Sequence, residues 1–510
     1  VAEQTSGGAA SPSVTVVVPT YRSGAGLERL LASLRAQTLP SERFEVLIVD
    51  DGSPEADAAW ISELVAREPN ARFHRIEHSG WPSRPRNVGI ELAAGEFILF
   101  ADHDDELYPT SLASALETLE RTGADVFAGK EARTDQAKWG LDVFDGNYDD
   151  AGVREDVHPL VPTNPHKLYR ASVLREHAIR FPEGDRQLWE DVHFNVDVAR
   201  RTSRVAIRSD EPFYHWVRDG RTTSTSFGEN AEEWWTALGS VVEHIATALD
   251  RPEDRRQRRL LLALQFRDRV LPAVGPAMLR RSAEDRALTL SHAARLVTEF
   301  GDPDILGTLP NHLAARAHLL RIGRPDLVES LAAFDDGIVG IGFARSVAIE
   351  DSIITLRTST TWMAHRGGFL DLVVDDGRVR RALTPELERV LGPELISLDG
   401  DLAAASSQVG LRSRDTAMTW LVPTETVVKV SDDPGYPDVT ATSVARIDPA
   451  TLRHGQPMAD GYWDFNVRNV LFGVVNHRAL RAVRVGGRAQ GARDLRVYQN
   501  RHGNLSLQVR

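Results

Sequence analysis

The sequence predicts a multidomain α/β protein: a sheet-and-helix domain at the N-terminal end, a helical domain in the middle and strand-rich domains at the C-terminal end. Three observations predict it. The first third alternates short apolar runs with amphipathic stretches, residues 229–337 carry apolar residues at helical spacing, and from about Val339 short alternating runs are separated by Gly and Asp pairs. A chain of 510 residues also holds several domains of the usual size, roughly 100–200 residues each, and not one core.

Val14–Val18 reads as a strand, Leu27–Gln37 as a helix and Phe44–Val49 as the next strand. Further strands fit Arg72–Ile76, Phe97–Phe100 and Asp125–Ala128, with a helix at Pro109–Arg121 between the last two. Continuous β-branched runs separated by helices give a mostly parallel sheet covered on both faces, which holds ligands beyond the carboxyl ends of its strands. In the middle region Trp234, Trp235, Leu238, Val241, Val242 and Ile245 form one apolar face, followed by Leu260–Leu271 and Ala287–Phe300. Punctuation by Pro252, Pro272, Gly301 and Pro303 implies four or five helices. Ser352–Ser359, Phe369–Val374, Thr424–Val430 and Tyr462–Leu471 read as strands of small β-sandwiches. The expected boundaries are a flexible N-terminus over 1–12, the α/β domain over 13–227, the helical linker domain over 228–338, and β-sandwiches over 339–431 and 432–510.

Composition narrows the function. At 42 % hydrophobic and 26 % charged residues the chain is neither disordered nor fibrous. The balance of 60 Lys+Arg against 73 Asp+Glu leaves a net charge of −13, the wrong sign for a protein that neutralises a nucleic-acid backbone. No nucleic-acid partner is expected, and any anionic ligand must be held locally. The absence of cysteine excludes disulfides, a thiol nucleophile and a thiolate zinc site. Val1–Ser13 has neither the basic start nor the apolar run of a targeting segment, and no apolar stretch reaches about 18 residues, so the expected address is the cytoplasm.

Chemistry gathers at the strand ends. The first strand ends in Pro19-Thr20-Tyr21 and the second in Asp50-Asp51-Gly52-Ser53, which brings polar groups to one edge of the sheet; Asp-Gly-Ser is equally the composition of a capped turn. The strand Phe97–Phe100 runs into Asp102-His103-Asp104-Asp105. Carboxylates clustered at a buried strand end are costly unless a cation neutralises them, and hard oxygen donors suit Mg²⁺ or Mn²⁺ with a diphosphate. The plainer alternative is a solvated acidic turn at a helix N-terminus. An EF-hand is excluded because Leu107 stands at the sixth position, where Gly is required. Gly24-Ala25-Gly26 fails as a dinucleotide fingerprint, since Arg29 replaces the third Gly, and no phosphate-binding P-loop sequence occurs.

Five motifs follow in order: Val-Val-Pro-Thr-Tyr, Val-Asp-Asp-Gly-Ser, Arg86-Asn87-Val88-Gly89-Ile90, Asp102-His103-Asp104 and Glu190-Asp191. Together they resemble the inverting family 2 glycosyltransferases of GT-A fold, a Rossmann-like mixed sheet, over roughly Ser13–Phe227. The stretch from Pro165-His166-Lys167-Leu168-Tyr169-Arg170 through Phe181-Pro182-Glu183-Gly184 to Trp189-Glu190-Asp191 is similar to the bacterial enzymes that glycosylate wall-teichoic-acid polyol phosphates, which append helices and C-terminal β domains.

The resemblance implies a UDP-sugar donor, UDP-GlcNAc first, and an anionic polyol-phosphate or related glycan acceptor. It implies uracil contact by Asp51, ribose and metal contacts by Asp102 and Asp104, and nucleotide or sugar contacts by Pro19, Tyr21, Arg86, Asn87 and Arg133. His215 joins Asp104 as a ligand for Mn²⁺ or Mg²⁺, Arg218 and Ser224 meet the diphosphate, Glu190 orients the sugar and Asp191 is the general base. Read from the residues alone, Glu190-Asp191 is equally a helix start, and His215 a histidine packed among aromatics. A homotrimer through the C-terminal domains and peripheral association with the inner face of the membrane complete the expectation. Two rival readings stand beside it: a capsular or exopolysaccharide transferase using another UDP-hexose, and a glycan-binding assembly protein with an inactive transferase domain.

Overall fold

The computed structural model of the chain describes residues 11–184, 186–218, 231–334, 337–364, 367–431, 438–483, 485–489 and 494–510. These fall into two compact units divided near residue 223, with the short segment Gln136–Leu141 belonging to the second. No helix among the described residues is long and apolar enough to cross a membrane.

The first unit is built on one eight-stranded sheet. In chain order its elements are β1 (Val14–Thr20), α1 (Ala25–Arg35), β2 (Phe44–Asp50), α2 (Glu55–Val65), β3 (Ala71–Arg75), α3 (Ser83–Leu92), β4 (Phe97–Phe100) and β5 (Glu106–Leu107). Then come α4 (Ser111–Thr122), β6 (Val126–Arg133), β7 (Leu168–Arg170), α5 (Ala171–Glu176), α6 (Glu190–Arg201) and β8 (Val205–Trp216). The strand order is β3-β2-β1-β4-β7-β6-β8-β5. β1, β2, β3 and β4 are parallel neighbours and so are β6 and β8, while β7 runs antiparallel to β4 and β6, and β5 antiparallel to β8. The sheet is therefore mixed: the three-residue β7 is reached through a long excursion from β6 and not through a crossover helix, so the parallel rule does not bind it.

Alternation along the strands supplies two cores. Val14, Val16, Val18, Val46, Ile48, Phe97 and Leu99 pack under leucines of α1 and α4 on one face. Val17, Leu47, Val49, Ile98 and Phe100 pack under Ile90 of α3, Leu174 of α5 and Phe194 of α6 on the other. Both faces being covered, the carboxyl edge is the open place for a ligand.

In the second unit, residues 231–334 form helices, the longer ones being Ala231–Ala248, Arg255–Gln265, Ala283–Phe300, Asn311–Arg321 and Pro325–Phe334. Trp235 is buried against His292 with ring centroids 5.7 Å apart, as its place on the apolar face requires. Beyond residue 337 the described strands form two larger sheets and a two-stranded ribbon, Leu372–Asp375 with Arg378–Arg381, and the expected division at 431/432 is not what the two larger sheets do. Thr424–Val430 pairs with Val439–Ile447, which pairs with Ile353–Ala364; Ser406–Ser413 pairs with Gly461–Leu471. Strands from both expected sandwiches interleave in both sheets. Thr360 of one sheet meets Ser407 of the other at 2.8 Å, and Ser407 donates to Asn469 at 2.7 Å in a buried junction. Two helical pieces over Pro385–Ile396, divided at Gly392 with φ +72° and the first capped by the Thr384 hydroxyl accepting from the Leu387 N–H, stand where only strands were expected.

Candidate active site

Adjacent acids at the sheet edge do different work. Asp50, fully buried at the end of β2, accepts from the Ser53 N–H at 3.1 Å and the Ser53 hydroxyl at 2.5 Å, with the Arg75 guanidinium 3.5 Å away. That is the capped turn Asp-Gly-Ser favours. Asp51 turns to the following loop: Oδ1 accepts from the Ser79 N–H at 2.9 Å and the Ser79 hydroxyl at 2.7 Å, and Oδ2 from the Gly80 N–H at 3.0 Å. His78 Nδ1 lies 3.1 Å from Asp51 Oδ2, and the His78 ring stacks on Tyr21 at 4.4 Å. Tyr21, His78 and Asp51 thus make one ledge, with ring faces for stacking and a carboxylate that can accept from a ring N–H. His78 belongs to none of the sequence motifs, and nothing in the sequence pointed to it.

The run Arg86-Asn87-Val88-Gly89 explains itself by packing. A Cβ on Gly89 would lie 2.2 Å from Val17 Cγ1, so glycine is what lets α3 rest directly on β1. Asn87 donates to the Phe181 carbonyl at 2.9 Å and to Glu183 at 2.8 Å, and accepts from the Phe181 N–H at 2.9 Å. Expected as a substrate contact, Asn87 instead pins the segment leading to α6, because its whole amide is used inside the protein. Arg86 is the hub. Its Nη1 donates to Glu190 Oε1 at 2.8 Å and its Nη2 to Asp102 Oδ1 at 2.7 Å, with the side chain 5 % exposed. Burial opposes both charges of the Arg86–Asp102 pair, and their mutual attraction, with Glu190 and His166 adding to it, outweighs burial. The Asp102 carboxyl is accordingly held well below the usual carboxylate range and the guanidinium above its own.

Trp189, the residue before α6, sits at φ +61°, a strained conformation for a bulky side chain, and it sets the direction of the Glu190-Asp191 turn. Asp191 Oδ1 accepts from the Val192 N–H at 2.8 Å, and Asn195 Nδ2 donates to the Asp191 carbonyl at 2.9 Å while also holding the Thr163 and Asn164 carbonyls. The helix start is therefore fixed to the neighbouring loop by a buried amide.

The group of side chains that could hold a metal ion differs from the expected pair Asp104 and His215. Among the described residues, Asp102, Asp105 and His166 bring one ligand atom each within 4.8 Å of one another. His166 Nε2 is 3.3 Å from Asp102 Oδ2 and 4.0 Å from Asp105 Oδ2, and the ring stacks on Tyr214 at 4.0 Å. Asp105, buried, accepts from the Tyr214 hydroxyl and the Val217 N–H, both at 2.8 Å; burial and then the Asp102 and Asp104 charges raise its pKa well above the usual range. His215 stands elsewhere, opposite Glu106 in the β5–β8 ladder, with Nε2 3.2 Å from the Thr134 hydroxyl and Nδ1 3.9 Å from Glu106. The Asp104 backbone is where α1 closes in: a Cβ on Gly26 would lie 2.9 Å from Asp104 Cα, and Arg29 donates to the Asp104 carbonyl. The Gly-Ala-Gly run is thus a packing device beside the acidic turn.

Residues 15–207 match the family described as Glycosyl transferase family 2, and residues 231–332 the one described as Glycosyl transferase TarS linker domain. The chain carries a family 2 glycosyltransferase domain. It is 29 % identical over 238 residues to the poly(ribitol-phosphate) beta-N-acetylglucosaminyltransferase TarS of Staphylococcus aureus (strain Mu50 / ATCC 700699), covering 46 % of this chain and 40 % of that protein. It is 27 % identical over 253 residues to the poly(ribitol-phosphate) beta-glucosyltransferase of Bacillus spizizenii (strain ATCC 23059 / NRRL B-14472 / W23), covering 49 % and 39 %. The match spans about 40 % of the length of these curated relatives. A crystal structure of S. aureus TarS residues 1–349 with UDP-GlcNAc shares the fold, with a TM-score of 0.57 at 21 % identity over 73 % of this chain and 97 % of that one.

Of the remaining expected residues of the glycosyltransferase domain, Arg133 and Arg218 lie together near Asp105, whose charge reaches Arg133. Pro19 is buried in β1 opposite Val49. Arg133 lies 3.8 Å over the Trp216 ring at the end of β6, and burial and then the Arg218 charge lower its pKa. Arg218 pairs with Asp135 at 2.7 Å. Ser224 lies outside the described residues. The domain's edge therefore assembles Tyr21, Asp51, Arg86, Asp102, Glu190 and Asp191 from the motifs, and adds His78, Asp105 and His166.

Proposed function

We propose that the chain transfers a sugar, with inversion, from a UDP-sugar to a hydroxyl of a polyol-phosphate polymer. The observation that carries this reading is one guanidinium, Arg86, locking Asp102 and Glu190 together immediately beside Asp191, at the open edge of a family 2 domain. Asp191 takes the acceptor hydroxyl's proton as that oxygen attacks the anomeric carbon, and the bond to the diphosphate breaks with UDP keeping the electron pair. Glu190 orients the sugar, Asp102 meets the ribose, and the Tyr21–His78–Asp51 ledge takes the uracil. The polymer class rests on the relatives named for poly(ribitol-phosphate) and on the linker domain, and GlcNAc leads because the UDP-GlcNAc complex belongs to one of them. The glucosyltransferase among the relatives keeps glucose in the same panel.

Carboxylate oxygens and an imidazole nitrogen within 4.8 Å fit Mn²⁺ or Mg²⁺, and Asp102, Asp105 and His166 would hold it. A cation there supplies charge compensation for the leaving diphosphate. Calorimetric Mn²⁺ titration separates the two ligand sets: loss of binding in His166→Ala with binding kept in His215→Ala supports this one, and the reverse restores the expected pair Asp104 and His215.

UDP release from a panel of UDP-sugars, with and without poly(ribitol phosphate), tests the whole reading. Acceptor-dependent release is expected, and Asp191→Asn should bind donor normally while turnover falls about 10²–10⁴-fold. Parental turnover in that variant removes Asp191 as the base, and no acceptor-dependent release with any donor turns the balance to a glycan-binding protein.

A further inference from the structure

The motif Pro165-His166-Lys167-Leu168-Tyr169-Arg170 holds a cation to which the proposed transfer gives no role. Lys167, immediately before β7, is fully buried, and its ammonium, with three protons to donate, meets three oxygens of one loop: the Pro162 carbonyl at 2.6 Å, the Asn164 carbonyl at 2.9 Å and Asn164 Oδ1 at 3.1 Å. Asn164 Nδ2 donates to Glu131 Oε2 of β6 at 2.7 Å, so a buried carboxylate and the buried ammonium flank the same amide. The Asn164 carbonyl is shared. It accepts from Lys167 and, at 3.1 Å, from Asn195 Nδ2 of α6, which also reaches the Thr163 carbonyl at 3.0 Å and the Asp191 carbonyl at 2.9 Å. Carbonyls only accept, so the Asn195 nitrogen must face them, and the Tyr169 hydroxyl donates to its Oδ1 at 3.0 Å. A path of buried hydrogen bonds thus runs from Lys167 through the Asn164 carbonyl and Asn195 to the backbone of Asp191.

Burying an ammonium is costly even when its protons are met, and an apolar side chain would fill the same space at less cost. What Lys167 adds is direction: it draws oxygens of residues 162 and 164 to one point, and with them the carbonyls that orient Asn195. A buried polar network whose members are satisfied rigidifies what it holds. We infer that Lys167 is a positioning residue for the proposed transfer, acting through Asn195 to set the turn that presents Asp191 to the acceptor hydroxyl. This rests on the reading of Asp191 as the base. The Tyr21–His78–Asp51 ledge shares none of these bonds, so donor binding is not the task of Lys167.

The test compares the full chain with Lys167→Met, which keeps the length of the side chain and removes the ammonium, and with Lys130→Met, which removes another buried ammonium, one that donates to the Phe144 carbonyl. All are assayed below their unfolding midpoints. Lys167→Met should lower kcat for transfer to poly(ribitol phosphate) by about tenfold to 10²-fold, the scale of a displacement of about 1 Å, while calorimetry gives parental UDP affinity. Lys130→Met should keep kcat. In an Asp191→Asn background Lys167→Met should lower kcat no further, because residues that act as a unit are not additive. Parental kcat in Lys167→Met, an equal loss in Lys130→Met, or a loss that adds to that of Asp191→Asn, whether through His166 or through the fold as a whole, overturns the assignment. Should Lys167→Met not fold, Tyr169→Phe releases the other end of the Asn195 amide and goes through the same cycle, with a smaller loss expected. Hydrogen exchange separates this inference from the reading on which it rests: where the parent transfers no sugar, faster exchange of the Val192 N–H, which donates to Asp191 Oδ1, in Lys167→Met than in Lys130→Met keeps the path to Asp191 and defeats the functional reading, and equal exchange defeats both.

Discussion

One buried junction from each unit shows two ways of fixing side chains inside a protein. In the first unit opposite charges meet: Arg86, 5 % exposed, bridges Asp102 and Glu190, and Asp50 caps its own turn. In the second, neutral groups meet between two sheets, Thr360 and Ser407 at 2.8 Å and Ser407 and Asn469 at 2.7 Å. Buried opposites fix one another's positions, so removing one leaves the other short of a partner in a medium of low polarity. Neutral hydroxyls and amides carry no net charge, so removing one leaves an unsatisfied group that costs about 1–3 kcal/mol. The first arrangement suits reacting groups that must not move, the second a joint between sheets.

Arg86→Met is expected to show the largest effect. It strands Glu190, 11 % exposed, and leaves Asp102 with His166 alone of the two; loss of one partner from a buried ion pair typically costs about 3–5 kcal/mol of stability. Urea unfolding of parent and variant measures it, and addition of Glu190→Gln should recover part of the loss because one stranded charge is removed. If Arg86→Met unfolds at the parental midpoint, the contrast between the units is wrong at its root.

The acid pair on β2 sharpens the contrast within one dipeptide. Asp50→Ala leaves the Ser53 N–H unpaired and should cost about 1–2 kcal/mol, a lost cap, with the donor KM near parental wherever the variant folds. Asp51→Ala should do the reverse: nearly parental stability, because Ser79 and Gly80 lie near the surface, and a donor affinity lower by about tenfold or more, the weight of one charged hydrogen bond. Thermal unfolding with and without UDP reads both. Equal shifts in the two variants would erase the distinction.

Much of this was legible in the sequence. The strand ends and the helix after Trp189 follow from short apolar runs breaking into polar ones; Arg86 was marked only by the family resemblance, as a nucleotide contact, and its bridge from Asp102 to Glu190 was not marked. The candidate cluster of Asp102, Asp105 and His166 was not legible. Asp104 and Asp105 are neighbours in a turn, where the alternation that assigns faces in a strand no longer holds, and only the closure of β8 onto that turn through Tyr214 and Val217 selects Asp105. His166 arrives from a loop more than 60 residues downstream with no spacing rule to announce it. The interleaved strands of the second unit were hidden for a related reason: pairing partners such as Ser406–Ser413 and Gly461–Leu471 are set by long-range register, which local pattern does not carry. The helix at Pro385 did have a readable start, Thr384-Pro385-Glu386, a cap followed by proline in the first turn.

Lys130 of β6 offers the smallest and most specific test, because it is a cation buried in the first unit. Its ammonium donates to the Phe144 carbonyl at 3.2 Å, and burial lowers its pKa to about 7 with the Asp145 charge opposing the shift. The unfolded chain keeps an ordinary lysine near pH 10.4. Between about pH 7 and 10 the unfolded state therefore binds a proton that the folded state has released, so this residue makes stability rise with pH across that window. Below about pH 7 both states are charged, and the full cost of burying the ammonium is present. Lys130→Met removes that cost while keeping the volume, so the variant should be more stable than the parent at pH 6, by about 1 kcal/mol or more, with the gap closing towards pH 9–10. Denaturant titrations of both proteins at pH 6 and 9 decide it: a gap of constant size at the two pH values would mean that Lys130 stays charged throughout, and that its surroundings hold the ammonium as well as water does.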